Sequence, residues 1–270
     1  MSATAPVTRF STNSLKGSRV ACCPLNPGCD CETCPACRQR AAAVAIGVGK
    51  PGYVQAMKKA VVLGHAGAAS DVGVSYHYGT GVPQDGSLAV TWYARAVELG
   101  SAQAAFNLAY SYDFGHGGLD VDKSEAARLY ELAMAHGHDT ACNNFGAMLK
   151  NGDGIECDKA RAQEVYKLGV SRGSVHCMAG LGRLLVDKGD IDEALSLYRR
   201  GHALELASQT PIQGACCTFN LGDCFEFGIG VAKNLKKARS VYKDAFELGQ
   251  LDEDDIKGLI ERGMLPRQVA

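Results

Sequence analysis

The chain has 270 residues, of which 46% are apolar and 21% charged, with a formal net charge of −1. Apolar content at this level excludes a chain that is disordered throughout, and the charge balance gives no global electrostatic reason to expect nucleic acid or an anionic membrane as partner. Twelve cysteines are too sparse for a small disulfide scaffold, and by length alone the residues would divide into about two ordinary domains.

Residues 1–52 differ in character from the rest. They carry six Lys/Arg against two acids, net +4, and six of the 12 cysteines, so the remainder of the chain is at −5. The first acidic residue is Asp30, and Arg9, Lys16 and Arg19 stand among serines and threonines. That composition is shared by organelle transit peptides, whereas no apolar h-region of a secretory signal is present. The longest apolar run, Ala41 to Val48, falls well short of the ~20 residues that a spanning helix needs. A cytoplasmic chain without membrane insertion is the expectation, with organelle targeting through the acid-free N-terminus as the alternative. No periodicity organises this segment, which reads as a mostly disordered leader whose order would come from a metal or from disulfides. Cys22, Cys23, Cys31, Cys34 and Cys37 are spaced so that four thiolates could surround one zinc. Cys34-Pro35-Ala36-Cys37 has the spacing of a redox dithiol, but without a βαβ context around it.

From residue 53 onward the sequence repeats. Tyr-Gly-x-Gly-Val at 78–82 returns as Phe-Gly-x-Gly at 114–117, Asn-Gly-x-Gly-Ile at 151–155 and Phe-Gly-x-Gly-Val at 227–231, with steps of 36, 37 and 76 between first glycines. A period in this range marks a solenoid or array. A second marker, Asp85, Asp122, Asp158, Asp190 and Asn234, is followed four residues later by alanine and four further on by Tyr93, Tyr130, Tyr166, Tyr198 and Tyr242. Each Asp or Asn reads as the N-cap of a second helix, helix B, whose apolar stripe holds the Ala and Tyr. Gly100, Gly137, Gly173 and Gly249 close helix B in a left-handed conformation. Helix A precedes it with an apolar-small pair and a large residue three positions on: Val72-Gly73 with Tyr76, Leu108-Ala109 with Tyr112, Phe145-Gly146 with Leu149, Leu181-Gly182 with Leu185, and Leu221-Gly222 with Phe225. The small residue allows A and B to cross closely.

The stretch from Val72 to Gly100, with Tyr78-Gly79-Thr80-Gly81-Val82 and Trp92-Tyr93, closely resembles a Sel-1-like repeat, a relative of the tetratricopeptide repeat. The resemblance extends over residues 53–251, including a half unit at Ala60, Leu63 and Gly64. It implies an all-α fold, an α/α solenoid of about five helical hairpins in a right-handed superhelix. It also implies a non-enzymatic scaffold or adaptor that binds a protein or peptide, with a small-molecule substrate not expected. Unit four departs from the pattern: it lacks Gly-x-Gly-Val, has Glu205 at the place of the closing glycine, and reads as a hairpin with a longer second helix and a distinct surface at 204–214. Residues 252–270 begin with an acidic run and read as a terminal capping helix and tail.

Candidate partner-binding residues are Asn107, Asn144 and Asn220, which recur just before the helix A apolar residue, and Tyr76 and Tyr112. In related repeats helix A lines the concave groove, where amides can bond a peptide main chain, although the asparagines also suit bonds within the repeat frame and the tyrosines suit the core. Cys142, Cys177, Cys216, Cys217 and Cys224 on helix A segments read as small buried hydrophobes. The seven histidines form no metal-binding helical pair and read as surface residues. No nucleophile elbow or Ser/His/Asp arrangement is present, so no catalytic residue and no cofactor is expected beyond zinc at the N-terminal cysteines. A metal- or redox-handling protein built on that cluster is the alternative function.

Overall fold

In the computed structural model, which describes residues 34–208, 217–249 and 251–266, thirteen α-helices follow one another and no strand occurs among the described residues. They are α1 (Pro35–Ile46), α2 (Tyr53–Val62), α3 (Ala66–Tyr78), α4 (Gly86–Glu98), α5 (Ala102–Phe114), α6 (Lys123–Ala135), α7 (Asp139–Asn151), α8 (Lys159–Ser171), α9 (Val175–Lys188), α10 (Ile191–Ala207), α11 (Cys217–Phe227), α12 (Leu235–Glu247) and α13 (Glu253–Glu261). Consecutive helices pair from α1·α2 to α11·α12, and each pair packs on the next through α2·α3, α4·α5 and so on, the contact pattern of an α/α solenoid.

Six hairpins precede the terminal helix, because α1 supplies the first strut of the half unit seen at α2. The segment read as an unorganised leader therefore contains a helix from residue 35 onward. Its apolar stripe escapes periodicity analysis since α1 buries only Ala36, Cys37 and Ala43, side chains too small to contrast with the alanines around them. Pro35 at its first position is the one sequence signal for it. Arg40 on α1 pairs with Asp71 on α3 at 3.2 Å, fastening this hairpin to the next.

The expected helix B caps form in four of five repeats. Asp85, Asp122, Asp158 and Asn234 each accept a hydrogen bond from the backbone N–H three residues on, at 2.9–3.0 Å. Asp190 occupies the cap position without a side-chain bond. Helix A has caps of its own that the sequence analysis missed. Ser101 and Ser174 accept through Oγ, and His65 and His138 through Nδ1. His65 is thus buried, not on the surface. His138 also places Nε2 3.2 Å from Gln103 Oε1 and stacks on Phe106 with centroids 4.4 Å apart. An accepting Nδ1 must be unprotonated, and burial lowers the His138 pKa below its ordinary value of 6.5. The folded state then binds fewer protons than the unfolded chain, so stability is full above pH ~6.5 and falls as pH drops through that value. We expect the α7 cap to loosen as pH falls below the ordinary histidine value, read as lower amide-exchange protection factors at Ala141 and Cys142, and His138→Asn to flatten that dependence.

The helix B tyrosines are the pins of the array. Tyr93, Tyr130, Tyr166, Tyr198 and Tyr242 are all buried, and desolvation raises every one of their pKa values, Tyr166 to about 12. The small helix A residue makes room for the ring: a methyl on Gly146 would lie 2.7 Å from Tyr166 Cε1, and one on Gly180 of the following repeat 2.5 Å from the same atom. Tyr166 is therefore gripped by two helices A at once, its own and the next.

A similar complementarity operates one turn further along helix B. The small residue there is alanine at 96 and 133, paired in register with Ala104 and Ala141, all fully buried. At 169 and 201 it is glycine, and a methyl on either would overlap the sulfur of Cys177 or Cys217 respectively. The helix loses a methyl where its neighbour gains a thiol. Cys142, Cys177, Cys217 and Cys224 are all buried, as expected; Cys216 lies outside the described residues.

The Gly-x-Gly turns do more than reverse the chain. Both glycines take positive φ, 71° and 71° at Gly115 and Gly117, and the second touches the preceding repeat. A methyl on Gly117 would lie 2.6 Å from the Gly86 carbonyl oxygen. Beside these contacts Ser87 Oγ donates to the Gly117 carbonyl at 3.2 Å, and Ser124 Oγ to the Gly154 carbonyl at 2.7 Å. A motif read as a local turn is also an inter-repeat joint.

Unit four has the long second helix that its sequence suggested, 17 residues in α10. Glu205 is 1% exposed and accepts from the backbone N–H groups of Cys217 at 3.1 Å and Thr218 at 2.9 Å, and from the Thr218 hydroxyl. It thereby caps α11 from the preceding helix, the service that Ser or His performs elsewhere. Of the expected 204–214 surface, residues 209–214 lie outside the described residues. At the end of the array Asp252 caps α13, and Leu259, Met264 and Leu265 cover Tyr242 and Ala238. Arg262 pairs with Glu226 at 3.1 Å, and Arg239 Nε donates to the Gly263 carbonyl at 3.0 Å.

Candidate binding surface

Helix A ends in an aromatic residue in three repeats, at the position just before the first glycine of the turn: Tyr78, Phe114 and Phe227, respectively 70%, 53% and 58% exposed. Geometry dictates the exposure. The apolar-small pair one turn and more upstream faces helix B, so a residue five positions beyond the small one projects from the opposite side, at the rim of the turn. At α5 this becomes a cluster. Tyr110 and Phe114, four residues apart, have ring centroids 4.5 Å apart, and His116 in the following turn stacks on both at 5.5 and 6.1 Å. His77 meets Tyr78 edge-on at 4.6 Å in the repeat before.

The cluster is framed by charge. Lys123 Nζ lies 5.3 Å over the Phe114 ring, pairs closely with Asp113 and reaches Asp153 at 3.4 Å. The hydrogen bond to Asp113 raises the lysine's pKa, so this cation is fixed at the ring's edge. Tyr130 donates to the other Asp113 oxygen at 3.2 Å, linking the rim to the buried tyrosine behind it. Large apolar rings held at the surface beside ordered polar groups have the composition of a protein-binding hot spot. The sequence displayed this position in four of the five repeats, with an aromatic residue in three, but as part of a turn motif, and only the angle around helix A shows that the ring points outward.

The residues singled out from sequence are placed differently. Tyr76 is half-buried against the core; Lys58 Nζ donates to its hydroxyl at 3.0 Å and lies within 5.5 Å of both the Tyr76 and Trp92 rings. Tyr112 is half-buried against the same core, and burial with nearby Glu125 and Asp122 raises its pKa. Asn144 Oδ1 accepts from Asn143 Nδ2 at 3.4 Å, and Asn107 accepts from Gln103 at 3.1 Å. The buried Asn220 Nδ2 has no protein hydrogen-bond partner. Asn107, Asn144 and Asn220 share their register with Gly180, so the position faces the neighbouring repeat's tyrosine as much as any groove.

Of the N-terminal cysteines, Cys22, Cys23 and Cys31 lie outside the described residues. Cys34 is disulfide-bonded at the N-cap of α1, which withdraws its sulfur from a thiolate set while that bond lasts, and Cys37 is buried on the first turn. A further crevice of about 440 Å³ opens between α6, α7 and α8, lined by Arg128, Glu131, Phe145, Cys157 and Arg161. Its charges are internally matched: Arg161 pairs with Glu131 and lies 5.2 Å over Phe145. Among the described residues no helix is long and apolar enough to cross a membrane.

Comparison with known proteins agrees with the helical-repeat fold. The Sel1 repeat model matches residues 66–101, 102–138, 165–201 and 217–249. A solved Sel1 repeat protein from Oxalobacter formigenes superposes with a TM-score of 0.64 at 23% identity, over 78% of this chain and 83% of that one. A protective antigen present in uropathogenic Escherichia coli strains and displaying an SLR fold superposes with a TM-score of 0.65 at 27% identity. That alignment covers 81% of this chain but only 47% of the antigen. No curated protein matches the chain at a significant level.

Proposed function

Because the chain belongs to the Sel1 repeat family, we propose that it is a non-enzymatic scaffold that captures a protein partner, a peptide or helix, on the rim lined by Tyr78, Tyr110, Phe114 and His116. The observation that carries this reading is the exposed, mutually stacked Tyr110–Phe114–His116 cluster. Nothing in the repeat frame requires it: the core is complete behind it with Leu108 and Tyr130, and the corresponding place in the third repeat is filled by the polar Asn151. Burying large rings in a partner's pocket is the commonest source of hot-spot energy at interfaces. Asn107, Asn144 and Asn220, partly exposed on the same helices, would add a secondary, polar contribution.

The test compares partners cross-linked in cells by the intact chain and by a Tyr110→Ala/Phe114→Ala variant. Both side chains are substantially exposed, so the variant is expected to melt like the parent while losing at least about tenfold in affinity for its principal partner. An unchanged partner set at unchanged occupancy would remove the aromatic rim from the function.

A further inference from the structure

Two of the buried thiols belong to successive repeats yet meet. Cys142 lies in the first turns of α7 and Cys177 in the first turn of α9, near enough for each thiol to perturb the ionisation of the other. The meeting depends on Gly169 of α8, which passes behind them: a methyl there would overlap the Cys177 sulfur and stand 3.3 Å from Cys142 Cβ. In the two preceding repeats the corresponding helix A positions are alanines, so neither of those joints brings two thiols together.

The two thiols are not equivalent. Arg172 places a guanidinium nitrogen 3.8 Å from Cys142 Sγ, and the same nitrogen is 3.8 Å from Asp139 Oδ1. The Cys142 thiol is lowered from its ordinary pKa, first by the hydrogen bond from Cys177 and then by the Arg172 charge, whereas Cys177 is raised by the same hydrogen bond and by burial. One sulfur is thus prepared as the nucleophile and the other as the proton-bearing partner. Arg172 is partly exposed and lies against the sulfur of the buried Cys142, which makes it the side chain that a small oxidant would have to pass.

We propose that Cys142 and Cys177 form a peroxide-responsive dithiol, which closes to a disulfide between consecutive repeats. The Cys142 thiolate attacks one oxygen of hydrogen peroxide; the S–O bond forms, the O–O bond breaks, and the departing hydroxide takes up a proton to leave as water. Cys177 sulfur then attacks the Cys142 sulfenic sulfur, its proton leaves with the displaced hydroxide as a second water, and the S–S bond closes. One peroxide and two thiols give one disulfide and two waters. The bond fixes α7 against α9, and with them the bend between the fourth and fifth hairpins, which sets the curvature offered to a partner.

The full chain, freshly reduced and treated with stoichiometric hydrogen peroxide, is alkylated and digested with trypsin without reduction. The fragments ending at Lys150 and Arg183, which contain Cys142 and Cys177, are expected as one cross-linked species, dissolved by dithiothreitol. In a Cys177→Ala variant Cys142 has no resolving thiol and is expected to accumulate as a dimedone-trapped sulfenic acid, several-fold above the parent. The proposal is overturned if both cysteines stay alkylatable while the exposed Cys157 is oxidised. It is also overturned if dimedone labels Cys142 equally in parent and variant.

Discussion

Tyr166→Ala is expected to lower the stability of the central repeats by about 3–5 kcal/mol, the range for removing a fully buried aromatic ring. The ring is 1% exposed and lies within van der Waals reach of Gly146 on its own hairpin and Gly180 on the next. Both backbones are held at their separation by that ring, so the cavity cannot collapse without moving two helices whose other contacts are already satisfied. In a linear array the loss falls on neighbouring interfaces as well as on the mutated unit. Hydrogen exchange should therefore show α7, α8 and α9 losing protection together, with the flanking hairpins retaining theirs, and urea titration should acquire an early phase. A single cooperative transition displaced by less than about 1 kcal/mol would mean that the clamp does not operate. The converse substitution, Gly180→Ala, is predicted to cost less, about 1–3 kcal/mol, since the helix can shift to relieve one methyl.

Glu205→Ala is the second large effect, about 3 kcal/mol. Its carboxyl group receives two backbone N–H groups and a hydroxyl at the start of α11, in a place closed to water, and each orphaned donor costs about 1–3 kcal/mol, with overlap between them. Glu205→Gln keeps one acceptor oxygen but turns an NH₂ toward a donor, and is expected to lose roughly half as much. Thermal melts with exchange read at α11–α13 check both. The unequal response of the two variants would identify a capping role, whereas equal losses would point to packing alone.

Much of this was legible in the residues. The period, the Asp and Asn caps, the left-handed glycines after helix B and the tyrosine stripe are each enforced by backbone or packing geometry that recurs in every unit, and recurrence is what a single sequence can reveal. What escaped is of another kind. Helix α1 buries alanine and cysteine, so its stripe has no contrast. Glu205 acts across a connection whose length alone gives no clue to which helix it will reach. The His65 and His138 caps use a side chain seldom read as a cap, although their alternation with Ser101 and Ser174 at the same register was there to be seen. The aromatic rim failed for a fourth reason: Tyr78 and Phe114 were visible, but a motif position that serves a turn and a surface at once does not declare which way its side chain points.

The exchange of a methyl for a thiol between Gly169 and Cys177, repeated at Gly201 and Cys217, places the two halves of one fit in different hairpins. Transplanting the hairpin of α9 and α10 into another array would separate Cys177 from its glycine and Gly201 from its cysteine, a mismatch at each seam. Cutting instead between the two helices of each hairpin, so that α8 travels with α9, or α10 with α11, carries each fit intact. The interchangeable part of this chain is therefore displaced by one helix from the hairpin that its sequence period outlines.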